Sequence, residues 1–126
     1  MSSDYKDRKY KRMVGFSFAL NGLKEVYKSE RNFRIHLLIA AFVLIAGFLL
    51  SISALEWIVV TLVISIILSL EMVNTGIEKL LDHLAPEHHQ AVGTVKDITA
   101  GAVLVASIGS AIIGIVIFLP KILSLF

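Results

Sequence analysis

The sequence predicts an all-α membrane protein: an N-terminal amphipathic surface helix followed by three transmembrane helices, forming one domain over residues 1–126. Three observations carry this reading. Only 17% of the 126 residues are charged and 56% are hydrophobic, whereas soluble domains carry roughly 25% charged residues. No charge falls between Ile35 and Leu55, only Glu71 between Trp57 and Ile77, and none between Ile98 and Pro120. Each stretch has about the 20 residues that cross a hydrocarbon core of roughly 30 Å. Nine of the twelve Lys and Arg residues lie within the first 34 positions, which suits an anionic membrane surface. The net charge of only +2 is no nucleic-acid signature, and zero cysteines exclude a disulfide framework, a thiolate zinc site and a cysteine nucleophile. The first apolar run begins at Ile35, is too long for the core of a cleavable signal peptide and lacks a small-residue cleavage site.

Taken in order, residues 1–11 read as a disordered basic tail. A surface helix follows over 12–32. There Phe16, Leu20, Leu23 and Tyr27 recur at helical spacing, while Lys24, Glu25 and Lys28 occupy other faces. Beside a membrane such a helix lies in the interface. The spans are placed at 35–55, 57–77 and 98–120. The link Ser51 to Glu56 holds no Lys or Arg, whereas the second link holds Lys79 and Lys96. By the positive-inside rule the N-terminus and second link are cytoplasmic; the first link and the tail with Lys121 face outward. Trp57 suits the outer interface, Pro86 marks the cytoplasmic turn and Pro120 closes the third span. Ala102, Ala106, Ser110 and Gly114 form a small-residue stripe at four-residue steps, which lets helix backbones approach within or between subunits. Three helices enclose little interior, so the reading favours an oligomer.

The chemistry sits in the second span and its cytoplasmic extension. Glu71, Asn74, Glu78 and Asp82 share one narrow helix face at about 100° per residue. Glu71 lies on the order of 9 Å below Ile77 at 1.5 Å per residue. An intramembrane carboxylate costs at least about 2.5 kcal/mol. A structural reading has Glu71 protonated, or paired with Asn74 or with a basic residue of another helix. The polar stripe beneath it favours use. Mg²⁺ prefers one or two carboxylates and completes its shell with water and phosphate oxygens. Glu78 is then the natural metal ligand and Glu71 the natural base. A base at that depth reaches a hydroxyl only if the hydroxyl belongs to a lipid.

Two further clusters flank this segment. Ser29-Glu30-Arg31-Asn32-Phe33-Arg34 joins the surface helix to the first span. There Arg34 can snorkel, and Glu30 can meet Glu78 at one membrane level. Glu87, His88 and His89 precede Lys96 and Asp97. Lys96 either pairs with phosphate or anchors its helix at the headgroups, and Asp97 can accept from a nucleotide amine or ribose. His88-His89 fits a solvated turn, and His36 an interfacial position. No Walker A loop, Gly-rich nucleotide loop or kinase catalytic-loop motif is present.

Together these residues resemble the small integral-membrane lipid kinases of bacteria, the diacylglycerol kinase and undecaprenol kinase family. The resemblance runs from about Arg12 and rests on Ser29-Glu30-Arg31-Asn32-Phe33, Glu71-x-x-Asn74-Thr75-x-Ile77-Glu78 and Lys96-Asp97. Ala100-Gly101-Ala102 and the Phe118-Leu119-Pro120-Lys121 ending are closer to the Gram-positive undecaprenol kinases. Phe18 and Lys11 stand where Gram-negative members have tyrosine and arginine.

The resemblance implies a phosphotransferase that uses ATP and Mg²⁺ on a membrane lipid alcohol. It implies a homotrimer with active sites between subunits, in a bacterial cytoplasmic membrane. It matches Glu71 to the catalytic base, Asn74 to the polar residue beside it, and Glu30 and Glu78 to the acids holding Mg²⁺ with the nucleotide. Glu87, His89, Lys96 and Asp97 fall on the nucleotide-contacting region, and Phe33, Arg34 and Glu71 on the lipid side. Undecaprenol is the expected acceptor and diacylglycerol the alternative. A non-catalytic alternative is a proton or ion conductor that uses Glu71 as a relay, but the other spans offer that relay only small hydroxyls and His36.

Overall fold

The computed structural model describes residues 15–87 and 89–126. The expected basic tail over 1–11, residues 12–14 of the expected surface helix, and His88 lie outside the described residues. The described residues form four helices and no strand: α1 Gly15–Ser29, α2 Arg31–Leu49, α3 Ala54–Leu84 and α4 Gln90–Leu123. Helices α2, α3 and α4 are long and apolar enough to cross a membrane, with mean hydropathies of 2.0, 2.1 and 2.7.

The chain leaves helical geometry at Glu30 (φ −113°, ψ 111°), so Arg31 and Asn32 open α2 instead of ending the surface helix. Arg34 holds this corner. Its Nη1 donates to the carbonyls of Tyr27 (2.7 Å) and Lys28 (3.0 Å), two of the acceptors that the end of α1 leaves without a helical donor. Lys79 of α3 reaches Glu25 of α1 at 3.2 Å. Val26 is the buried residue of α1, while Phe16, Leu20, Leu23 and Tyr27 stay exposed.

Between α2 and α3 the helix stops at Leu49, six residues before the expected span end at Leu55. The stop is a Schellman cap. The Ile52 N–H donates to the Gly47 carbonyl (3.2 Å) and the Ser51 N–H to that of Phe48 (3.4 Å), with Ser51 left-handed at φ 52°. Ser53 then starts α3 with a capping box: its hydroxyl accepts from the Glu56 N–H (3.2 Å) and its own N–H donates to Glu56 (3.0 Å). Gly47 lets the two helices close. A Cβ there would lie 2.9 Å from the Trp57 indole and 3.0 Å from Ile52 Cδ1. Ile52, Val60 and Ile117 form the small core, flanked by Val43, Trp57 and Phe118.

At 31 and 34 residues, α3 and α4 are roughly 46 and 51 Å long at 1.5 Å per residue, so both outrun a hydrocarbon core of roughly 30 Å. Helix α4 begins at Gln90, eight residues before the apolar run that starts at Ile98. Pro86 does sit in the intervening turn. Pro120, expected to close the span, instead lies inside α4, which continues to Leu123. Pro120 has no N–H to offer the Val116 carbonyl, so the last turn lacks that one bond, while the Ser124 N–H bonds the Pro120 carbonyl at 3.1 Å. Lys121 pairs with Glu56 at 3.2 Å and joins this end of α4 to the start of α3. The three long helices leave between them an apolar cavity of about 300 Å³, which runs along α2 from His36 to Val43 and along α4 from Ser107 to Phe118. Ser110 and Gly114 of the small-residue stripe line it.

Candidate active site

Glu71 is buried on α3, with 4% of its surface exposed, three helical turns before the α3 C-terminus. Its partner comes from another helix: His36 Nε2 of α2 stands 3.4 Å from Glu71 Oε1. His36 was expected at the membrane interface, and its pairing with Glu71 was not foreseen. Neither Glu30 nor Glu78 has an ion pair among the described residues, and the Glu30 side chain makes no cap bond to α2.

One turn beyond Glu71, Thr75 is 1% exposed. Its Oγ1 and the Oδ1 of neighbouring Asn74 are buried without a hydrogen-bond partner. Buried polar atoms are normally bonded, so these two are oriented for a group outside the single chain or sit there at a free-energy cost. Phe33 is buried on the first turn of α2, at 3% exposure. Arg34 spends its Nη1 on the α1 carbonyls.

The remaining expected residues lie on the extension of α3 and α4. Lys96 Nζ reaches Asp82 Oδ1 at 2.6 Å and ties the two helices together. Asp97, next to it, is exposed and has no ion pair among the described residues. Glu87 and His89 face each other at 3.7 Å on the exposed turn. Within one chain, then, Glu71 is paired with His36, Lys96 with Asp82, and Glu87 with His89.

Among the described residues no group of three or more His, Asp or Glu side chains is placed to hold a metal ion. The donor set still fits Mg²⁺, which uses one or two protein carboxylates and takes its other oxygens from water and phosphate. Glu30 and Glu78 are two such carboxylates, and neither is ion-paired among the described residues. The sequence reading named two further residues without giving either a role in the site. His36 is the lone imidazole in an otherwise apolar stretch, and Thr75 lies four residues after Glu71 on the same helix face. Each carried a positional signal, but neither residue type is unusual there.

Comparison with known proteins shows the family. Residues 17–118 match the family model Prokaryotic diacylglycerol kinase. The chain is 41% identical over 120 residues to the undecaprenol kinase of Bacillus subtilis, covering 95% of this chain and 98% of that one. It is 35% identical over 114 residues to the diacylglycerol kinase of a Synechocystis species (90% and 65% covered). With that of Haemophilus influenzae it shares 29% over 99 residues (79% and 81%). A buried carboxylate on an apolar helix thus occurs in a sequence of known kinship: the chain belongs to the prokaryotic diacylglycerol kinase family and is a lipid kinase.

Proposed function

We propose that this kinase transfers the γ-phosphate of ATP to the hydroxyl of undecaprenol and yields undecaprenyl phosphate and ADP. The choice of acceptor is supported by the 41% identity, over nearly both full lengths, to a protein named undecaprenol kinase. The observation that carries the chemistry is Glu71, buried on an apolar helix and paired with His36 of a second helix.

Glu71 takes the proton of the lipid hydroxyl. The freed oxygen attacks the γ-phosphorus, and the bond to the β–γ bridging oxygen breaks as ADP leaves. Asn74 stands beside the base on the next turn. Phe33 and Arg34 face the lipid acceptor, while Lys96, Asp97, Glu87 and His89 contact the nucleotide. Glu30 and Glu78 would hold Mg²⁺, which supplies charge neutralisation to the phosphate oxygens. Phosphoryl transfer rests mainly on positioning and charge stabilisation, which side chains at a membrane boundary can provide.

In this reading α1 lies in the membrane interface, with Phe16, Leu20, Leu23 and Tyr27 in the headgroup region. The N-terminus and the turn 85–89 are cytoplasmic, and the C-terminus is outside. The protein is a homotrimer whose sites are completed by a neighbouring subunit.

The test is a phosphate-transfer assay with the purified protein, labelled ATP and Mg²⁺, offering undecaprenol and diacylglycerol side by side in mixed micelles. Preference for undecaprenol is expected. Preference for diacylglycerol would overturn the acceptor and keep the base and metal assignments. Transfer to neither by folded, ATP-binding protein would overturn the assignment of a lipid alcohol of either kind.

A further inference from the structure

A general base acts reliably when a third group holds it in one orientation. Glu71 is placed to need one. Its carboxylate is removed from water, and its own helix offers only the unbonded Thr75 hydroxyl and Asn74 amide oxygen nearby. Among the described residues its ion pair is with His36, from a different helix, at 3.4 Å.

The contact has a direction. An ionised carboxylate only accepts hydrogen bonds, so His36 must carry its proton on Nε2 whenever Glu71 is ready to act as a base. Nε2 then engages Oε1 and leaves Oε2 for the incoming hydroxyl. The 3.4 Å separation lies at the long edge of hydrogen-bond range. Contacts of this kind commonly shorten once substrate is bound.

His36 has a second neighbour. Its ring also lines the cavity between α2, α3 and α4, whose other walls are Val43, Val60, Ile64 and similar side chains. The imidazole therefore stands between the base and an apolar space running along the helices. It can move only by giving up one of the two.

We propose that His36 is the positioning residue for Glu71: its Nε2–H fixes which carboxylate oxygen meets the lipid hydroxyl, from the mouth of the interhelical cavity. The role rests on the reading of Glu71 as base. His36 does not touch the transferring phosphate, and it takes up no proton in the step: the hydroxyl proton goes to Glu71 Oε2 while the His36 proton stays on Nε2.

The experiment uses the full chain in mixed micelles with whichever lipid alcohol it phosphorylates faster, comparing Glu71→Gln, His36→Leu, His36→Gln and His36→Gly. His36→Leu keeps a similar bulk without a donor, and its kcat is expected to fall about 100-fold, the loss a misplaced catalytic group commonly brings, with the KM for ATP within about twofold of the parent. His36→Gln keeps an N–H donor and should recover to within about tenfold. Free imidazole should raise the rate of His36→Gly, because the cavity gives it a place to stand, and should leave Glu71→Gln inactive.

Near-parental kcat in His36→Leu, with Glu71→Gln inactive, would remove the positioning role and leave the base in place. Parental kcat in Glu71→Gln would remove both. If His36→Leu does not fold, the decision passes to the other two variants. A folded His36→Gln as slow as Glu71→Gln, together with a folded His36→Gly that imidazole does not rescue, would overturn the proposal.

Discussion

Glu71 carries a cost that the rest of its helix does not. A carboxylate at membrane depth is unfavourable by about 2.5 kcal/mol or more, and its observed partner is His36 at 3.4 Å. Removing the charge should therefore spare the fold and end the chemistry. Glu71→Gln is expected to lower turnover at least about 100-fold, the usual worth of a positioned base, with a thermal midpoint in detergent equal to or above the parent's. A variant that keeps its turnover would strip Glu71 of the role. Glu78 answers to a different measurement. Glu78→Gln should weaken the apparent affinity for Mg·ATP, seen as a higher Mg²⁺ concentration for half-maximal rate, and an unchanged Mg²⁺ curve would count against Glu78 as a ligand. Ser51 is a purely structural case. It holds φ 52° in the Schellman cap, a conformation that costs a non-glycine residue about 1 kcal/mol. Ser51→Gly should raise stability by about that amount in detergent unfolding, provided the backbone keeps its turn.

Helix α1 is fastened to the bundle by few contacts: Val26, the Lys79–Glu25 pair and the Arg34 cap. The ion pair is solvent-exposed, and such pairs contribute little. The cap reaches two otherwise unmatched carbonyls with one charged donor, so it matters more to the end of α1. Arg34→Met should speed hydrogen exchange in the last turn of α1 several-fold and leave the protected middle of α3 unchanged. Equal protection in the two proteins would show that the corner at Glu30 holds without the guanidinium. At the other end, α3 and α4 run past the membrane as a helical pair closed by Lys96 and Asp82 at 2.6 Å. The lysine was read as either a phosphate contact or a headgroup anchor. In the single chain it pairs with Asp82, the last acid of the stripe, so a nucleotide phosphate would compete with that carboxylate for it.

Across the whole chain the large apolar side chains are mostly exposed, among them Phe42, Phe48, Leu62, Ile66, Val105 and Val116. In lipid this exposure carries no penalty, so it does not by itself call for a partner. The argument for shared sites comes from Asn74 Oδ1 and Thr75 Oγ1, which are buried beside Glu71 on α3 with no hydrogen-bond partner among the described residues of the one chain. Subunit mixing tests it. Two inactive variants, Glu71→Gln and Lys96→Met, are expected to recover measurable turnover when co-assembled. Each can then lend its intact half to a site at a subunit boundary. No recovery from mixed, stable assemblies would place every functional group of a site within one chain.

Much of this architecture was legible in the residue order. Hydrocarbon thickness sets the length of an apolar run, so the gaps between charges announced three spans before any packing was known, and helical periodicity alone put Glu71, Asn74 and Glu78 on one face. Those inferences are local: they need only the rise and twist of a single helix. The contacts that complete the site are not local. Whether His36 meets Glu71, or Lys96 meets Asp82, depends on how far one helix slides and rolls against its neighbour. That register is set by fits such as Gly47 against Trp57 and by the left-handed turn at Ser51. A periodic pattern is unchanged when one helix is rotated against another, and for that reason the partner of Glu71 emerged only once the helices were packed.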